Sequence, residues 1–275
     1  MAERQWQDPA GPPGVDTSTA QAARMYDYYL HGKDNFPVDR VAADEALRAF
    51  PSLRITALEN RAFLGRAVEY LVEDVGVDQF IDIGAGLPGA RNTHEIAQDL
   101  RPHSRVVYVD HDPAVVAHAR SLTVSRPQGA AVYLLGDLRD PAGILEQPEL
   151  AGTLDLGRPV GLILNAVLHF VTDPEKPQEA VARLLAALAP GSYLEVTHIT
   201  ADHAPEESAA LVAAYRRAGM GLQARSREEV ARFFDGLDLV DPGVVDVSCW
   251  QADHLPLPRP SAEAVSCYGA LARIR

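Results

Sequence analysis

The segment Phe80-Ile81-Asp82-Ile83-Gly84-Ala85-Gly86-Leu87-Pro88-Gly89 sets three glycines behind an acid two positions before the first of them. Apolar residues lead into it and a capped helical pattern follows. Gly84, Gly86 and Gly89 thus satisfy G-x-G-x-x-G in the strand–loop–helix setting that gives the pattern meaning. Glycine there lets the backbone pass close beneath a nucleoside, where a Cβ would collide, and Ala85 shares that loop. Tight strand-to-helix turns also use glycine for purely conformational reasons, so the loop alone is a weak signal.

Three carboxylates decide which nucleoside ligand fits. A dinucleotide loop wants only N–H donors and positive dipole around its pyrophosphate, which an acid at Asp82 would repel. S-Adenosylmethionine lacks phosphate and carries an ammonium and a sulfonium, which an acid in the floor of the loop suits. Asp110 ends a second apolar run, where a carboxylate accepts both ribose hydroxyls, and His111 follows it on the same loop. Asp137 ends a third, placed to accept from an adenine amino group while the Leu138 N–H faces a ring nitrogen. A lone Asp is more often a helix cap or loop carboxylate; three at successive strand ends favour a shared ligand.

A fourth apolar run leads into Asn165-Ala166-Val167-Leu168-His169-Phe170, a loop that borders both cofactor and acceptor at the carboxyl end of its strand. His169 is the best-placed candidate base, because an imidazole near its unperturbed pKa of ~6.5 takes an acceptor proton at neutral pH. A satisfied structural histidine is the competing reading, and His31, His198 and His203 are weaker candidates. Methyl transfer often needs no base, since in-line alignment of nucleophile, methyl carbon and sulfur supplies ~7–11 kcal/mol of the barrier. Tyr29-x-x-x-Lys33 imitates a reductase pair but precedes the glycine loop, whereas in short-chain dehydrogenases that pair follows it.

The elements that must hold these residues are legible in the apolar spacing. Residues 1–16, with three prolines and two glycines, read as a disordered arm. Thr17, Ser18 or Thr19 caps a first helix whose Ala22, Tyr26, Tyr29 and Leu30 share a face, and Gly32 ends it in a left-handed conformation. Pro37 opens a second helix reaching Phe50. A third carries Leu64, Val68, Leu71, Val72 and Val75 on one stripe until Gly76. Residues 17–76 therefore form a helical prelude, and 77–275 an α/β domain. Strand-length runs at 79–83, 105–109, 131–135, 160–164 and 193–197 alternate with helices opened by Asn92 with Glu95, Asp112-Pro113 and Asp140-Pro141. Apolar strands separated by helices mean a doubly wound, mostly parallel sheet. After a helix begun by Ser226 with Glu229, residues 237–250 and 264–274 read as two long strands. A Pro-rich link joins them, so they run antiparallel.

Met25-Tyr26-Asp27-Tyr28-Tyr29-Leu30-His31-Gly32-Lys33-Asp34-Asn35-Phe36, Asn60-Arg61-Ala62-Phe63-Leu64 and Asp82 to Pro88 stand in a specific order. Asn92-Thr93-His94-Glu95, Tyr108-Val109-Asp110, Asp137-Leu138-Arg139-Asp140, Ala166-Val167-Leu168-His169-Phe170 and Ala189-Pro190-Gly191-Ser192-Tyr193 continue it. With these segments the chain resembles Rossmann-like class I methyltransferases, and more closely a bacterial S-adenosyl methyltransferase family, from Thr17 to its end. The resemblance implies a seven-stranded sheet with S-adenosylmethionine at the carboxyl ends of strands one to four. It also implies that the N-terminal helices lie over the cofactor as a lid, excluding water and holding the acceptor. Lys33, Asn35 and Phe36 would sit at the hinge, facing inward beside Tyr29 and His31; a surface turn with Phe36 packed on the core is the alternative. His31 stands where that family usually carries glycine, which implies a different turn there.

Composition sets the outer bounds. The 275 residues are 47% apolar and 23% charged, ordinary globular values, and enough to bury a core without disulfides. A net charge of −13 repels a phosphate backbone, arguing against a nucleic-acid partner. The apolar stretches fall short of the ~20 residues of a membrane span, and the first six residues have no apolar signal region. Cys249 and Cys267 fit no metal or redox spacing and read as two buried thiols in a reducing cytosol, with no metal expected. The expectation is a cytoplasmic, S-adenosylmethionine-dependent methyltransferase acting on a small molecule. A non-catalytic S-adenosylmethionine sensor or accessory protein, and an NAD-dependent reductase, stand as alternatives.

Overall fold

The computed structural model describes residues 16–275, so the expected arm lies outside the described residues except for Asp16. Five strands pair in parallel: β1 (Gln79–Ile83), β2 (Arg105–Asp110), β3 (Ala130–Leu135), β4 (Gly161–Leu164) and β5 (Tyr193–Ile199). Then β6 (Asp238–Leu239), β7 (Val245–Asp246) and β8 (Cys267–Arg273) build an antiparallel edge. The order is β3-β2-β1-β4-β5-β8-β6, with β7 also on β8. Because β2 and β4 flank β1 on opposite sides, the chain reverses its direction of travel there. A crevice opens at the carboxyl ends of the strands.

Helices α1 (Ala22–Tyr29), α2 (Pro37–Ala49) and α3 (Leu53–Tyr70) precede the sheet. The crossovers carry α4 (Thr93–Leu100), α5 (Pro113–Leu122), α6 (Pro141–Leu145), α7 (Pro148–Thr153), α8 (Pro177–Ala186), α9 (Pro205–Arg217) and α10 (Arg227–Ala231), and α11 (Ala262–Val265) leads into β8. Alternation along the strands divides the core. Ile81, Val107, Leu162 and Leu194 face Ile144, Leu150 and Val181 on α6–α8, while Phe80, Val106, Tyr108 and Ile163 face α3–α5. A third cluster joins Met25, Tyr29, Ala43 and Phe50 to Leu211 and Tyr215, so α1 and α2 share a core with α9.

Most expected caps are present. Asp112 and Asp140 accept from the N–H groups of Ala114 and Gly143, and Glu229 and Glu95 from those of Ser226 and Asn92. The first helix differs. Residues 17–19 do not cap it; the Ser18 N–H and the hydroxyls of Ser18 and Thr19 bond to Asp16 instead. The N–H of Gln21, before α1, donates to Asp39 at 2.9 Å, and so does that of Phe36, before α2. Asp39 is fully buried and also pairs with Arg24 at 3.0 Å, so one carboxylate starts two helices and joins them. The left-handed residue after α1 is His31 (φ 60°), not Gly32. Gly32 is needed for room, since a Cβ there would lie 1.9 Å from the Asp27 carboxylate. A left-handed φ at 31 is one that glycine adopts more readily than histidine.

The final edge also departs from expectation. Residues 237–250 are not one strand, because Pro242 has no N–H to pair and Gly243 turns with φ 81°. The six steps from Leu239 to Val245 therefore face three on β8, from Ala272 to Gly269. The seven-stranded expectation becomes eight because this bulge splits the last edge strand. The final strand begins at Cys267 rather than Ala264, after Ser266 turns left-handed (φ 38°) at the end of α11. Of the two cysteines only Cys267 is buried; Cys249 is exposed, and both are free thiols. Among the described residues no helix is long and apolar enough to cross a membrane.

Candidate active site

The crevice widens into a cavity of about 870 Å³ between the strand ends and α1, α3 and α9. Asp82, Gly84, Ala85, Gly86, Asp110, His111, Asp137, Leu138 and Asn165 line it, as do Tyr29, His31, Lys33 and His169. Asn35 and Phe36 do not. Asn35 is buried, donating to Asp27 at 2.7 Å and to the Gly32 carbonyl, while the Phe36 ring covers the Arg24 guanidinium.

The glycines divide by task. Gly84 (φ 76°) leaves no room for a side chain, since a Cβ would fall 2.4 Å from Val167. Gly86 (φ 66°) donates its N–H to Asp110 at 2.8 Å, and a Cβ there would meet only Ala23, at 3.6 Å. Gly89 has no atom within 4 Å of its Cβ position, so the third glycine of the pattern has no steric task. Nor does α4 offer an anion its N-terminus. Glu95 takes the Asn92 N–H at 2.7 Å, and the Tyr108 hydroxyl takes that of His94 at 2.7 Å. A pyrophosphate would find those donors engaged, which weighs against a dinucleotide.

Asp110, 4% exposed, accepts from Gly86 with one oxygen and from the Asp112 N–H at 3.0 Å with the other, and each oxygen keeps a lone pair. The His111 ring lies 3.5 Å away, and the bond to Asp110 raises its pKa. Asp137 is bound through both oxygens by Arg139, at 3.1 and 3.2 Å. Beside it the Leu138 N–H has no acceptor among the described residues. Asp82 is 5% exposed, takes the Thr93 hydroxyl at 2.6 Å, and is pushed up to about 6 by desolvation. A carboxyl so placed gains from any cation brought beside it.

His169 behaves differently from an imidazole in water. Burial, then the neighbouring His198 and Arg225, hold its pKa well below 6.5, so it is neutral throughout the physiological range. Its Nδ1 is buried without a partner. This corrects the expectation of an unperturbed base: such a ring is a hydrogen-bonding partner and a poor store for a proton. Arg225, 1% exposed, fixes the turn that carries His169. It donates to the Leu168 carbonyl at 3.1 Å, to that of Val171 at 2.9 Å and to Asp173 at 2.7 Å. His198 lies between Arg225 and the Ile199 carbonyl, and His203 is paired with Asp246 at 2.9 Å; neither lines the cavity.

Sequence reasoning missed Glu195 and Tyr215, which complete the links between the two sides. Glu195, wholly buried in β5, is pushed up to about 8 by desolvation and accepts from Asn165 at 2.9 Å. Asn165 in turn accepts from Asn60 at 2.6 Å, and Asn60 donates also to Tyr26. An acid inside an apolar strand was the available signal, the same one that marked Asp82. The Tyr29 and Tyr215 hydroxyls meet at 3.0 Å across 186 positions, which no local pattern announces.

Fold and site together define a Rossmann-like, S-adenosylmethionine-dependent methyltransferase. The chain belongs to the S-adenosyl methyltransferase family, whose model matches residues 9–275. A DUF574-family protein from Streptomyces avermitilis is 43% identical, with a TM-score of 0.92 over 94% of this chain and 99% of that one. A structure from Thermobifida fusca, described as that of a candidate methyltransferase, is 39% identical. Its TM-score is 0.88 over 98% of this chain and all of its own. Among curated proteins the comparison finds no match.

Proposed function

We propose that this methyltransferase acts on a small-molecule acceptor held between the sheet and the N-terminal helices. The observation that carries the reading is the lining of the cavity beyond the carboxylates, where Leu30, Leu53, Ala57, Leu211, Met220 and Leu222 supply the wall. About 870 Å³ suits a nucleoside cofactor with a small partner, whereas a macromolecular acceptor calls for an open trough. The net charge of −13 argues in the same direction against nucleic acid. The two free thiols support action in a reducing cytoplasm.

Residues 17–76 act in this reading as a lid on the catalytic domain formed by 77–275. Tyr29, His31 and Lys33 lie on its acceptor side, while Asn35 and Phe36 brace its hinge from behind. S-Adenosylmethionine, when bound, supplies an electrophilic methyl group on a sulfonium. Asp82 holds the cationic end, Asp110 accepts from the ribose hydroxyls, Asp137 accepts from the adenine amino group, and the Leu138 N–H donates to the ring. Gly84, Ala85 and Gly86 let the backbone run beneath the nucleoside, with His111 at the rim and Asn165 at the border with the acceptor. His169, held neutral, accepts a hydrogen bond from the acceptor and orients its lone pair towards the methyl group. The apolar wall excludes water, so alignment carries most of the catalysis.

Methyl-labelled S-adenosylmethionine and a bacterial extract divided by ultrafiltration test the proposal. Label entering only the small-molecule fraction is expected. Label entering only protein or nucleic acid would overturn it.

A further inference from the structure

The amino-acid end of the cofactor carries an ammonium, a sulfonium and a carboxylate, and Asp82 answers only the positive charges. An anion entering a cavity floored by Asp82, Asp110 and Asp137 needs a cation of its own. Arg139 is engaged by Asp137, Glu175 and the Phe170 carbonyl, and Lys33 lies exposed between α1 and α2. Arg61 is different. It lines the cavity from α3, half-buried, and pairs with no carboxylate among the described residues. Only its Nη2 is engaged, donating to the Ala90 and Arg91 carbonyls, both at 3.1 Å.

Those two carbonyls end the loop that Asp82 and the glycines begin, so a cation and an anion stand at opposite ends of one stretch of backbone. The Arg61 charge is also felt at Asp82, where it opposes the effect of burial. Two backbone bonds already hold the guanidinium, so little conformational freedom remains to be lost when Nε and Nη1 donate to a ligand.

We infer that Arg61 binds the α-carboxylate of the cofactor's amino-acid arm, opposite Asp82 at its ammonium. The inference rests on the cofactor placement proposed above. A planar fork of N–H donors matches a carboxylate bidentately, and such charge-assisted bonds are the stronger kind.

Calorimetry with three probes tests it: S-adenosylhomocysteine, its decarboxylated analogue S-adenosyl-3-thiopropylamine, and 5′-methylthioadenosine. Loss of the carboxylate is expected to weaken binding to the wild type by roughly ten- to a hundredfold. Arg61→Met should weaken S-adenosylhomocysteine by the same factor, leave the decarboxylated analogue and methylthioadenosine unchanged, and retain the wild-type melting temperature. Arg61→Lys should recover part of the loss, and Asp82→Asn should stay sensitive to the carboxylate. Equal weakening of all three probes by Arg61→Met would make Arg61 a brace for the loop and overturn the inference, as would no weakening of any. Failure of the wild type to bind any probe would instead overturn the cofactor placement on which it rests.

Discussion

The two halves of the cavity are built by different rules. On the side proposed for the cofactor the carboxylates stand at or just beyond the ends of β1, β2 and β3, and Asp110 takes the Gly86 N–H of the loop at 2.8 Å. On the side proposed for the acceptor Tyr29 meets Tyr215, and Asn60 meets Asn165, across 186 and 105 positions. A strand end is fixed by local alternation, and so is the direction of the side chain standing on it. A wall made by helices packing on one another exists only once the chain is folded.

That difference sets what could be read in advance. Asp82, Gly84 and Gly86 were legible because acid, glycine and apolar run lie in one short segment, and Asp110 because it ends an apolar run of its own. The state of His169 was not, because burial, with His198 and Arg225 arriving from other elements, holds it neutral. Glu195 carries the same signal as Asp82, an acid in an apolar strand, but no glycine loop follows to give it a role. The break at Pro242 and Gly243 was visible as residue types, yet residues 237–250 read as one strand, and only pairing with β8 shows the bulge. At residues 31 and 32 the glycine suggested the left-handed turn, while the structure puts it at His31.

The comparison is tested most severely at Asp39, which starts α1 and α2 and pairs with a buried Arg24. Asp39→Ala leaves that guanidinium buried without its partner, and a loss of about 3–5 kcal/mol is expected in urea unfolding. Because α1 and α2 share a core with α9, the transition should remain single. Two separate transitions would show that the acceptor side folds as its own unit.

Glu195 lies beneath the junction of the halves. Its folded-state pKa of about 8 stands above the unfolded carboxyl value, so its favourable contribution is complete only at acid pH and is lost as pH rises through 8. Glu195→Gln should therefore raise stability at pH 7 by on the order of 3 kcal/mol, and the gain should vanish near pH 4. Thermal melts of both proteins across that range check it. A gain that did not change with pH would place its origin elsewhere.

A contrast of single substitutions separates the halves next. Asp110→Ala and Gly86→Val should each cut affinity for S-adenosylhomocysteine about a hundredfold, the loss expected for removing charge-assisted hydrogen bonds or filling a ligand cradle. Met220→Ala, on the opposite wall, should leave it unchanged. Calorimetry reads all three, and equal losses would mean that the walls do not act separately.

The smallest effect concerns pH on the cofactor side alone. Burial pushes Asp82 up to about 6 even with Arg61 nearby, and a bound ammonium or sulfonium would hold it ionised. Above pH 6 binding then requires no proton to leave, and affinity for S-adenosylmethionine should be level. Below pH 6 a proton must be released, and affinity should fall by up to about tenfold for each further unit. The ligand's own carboxylate and ammonium keep their charges between pH 5 and 7, so the slope belongs to the protein. Methylthioadenosine, which lacks the amino-acid arm and the sulfonium, should show no such slope, and Asp82→Asn should abolish it for S-adenosylmethionine. A slope common to both ligands would move the titrating group away from Asp82 and towards the adenosine end of the cavity.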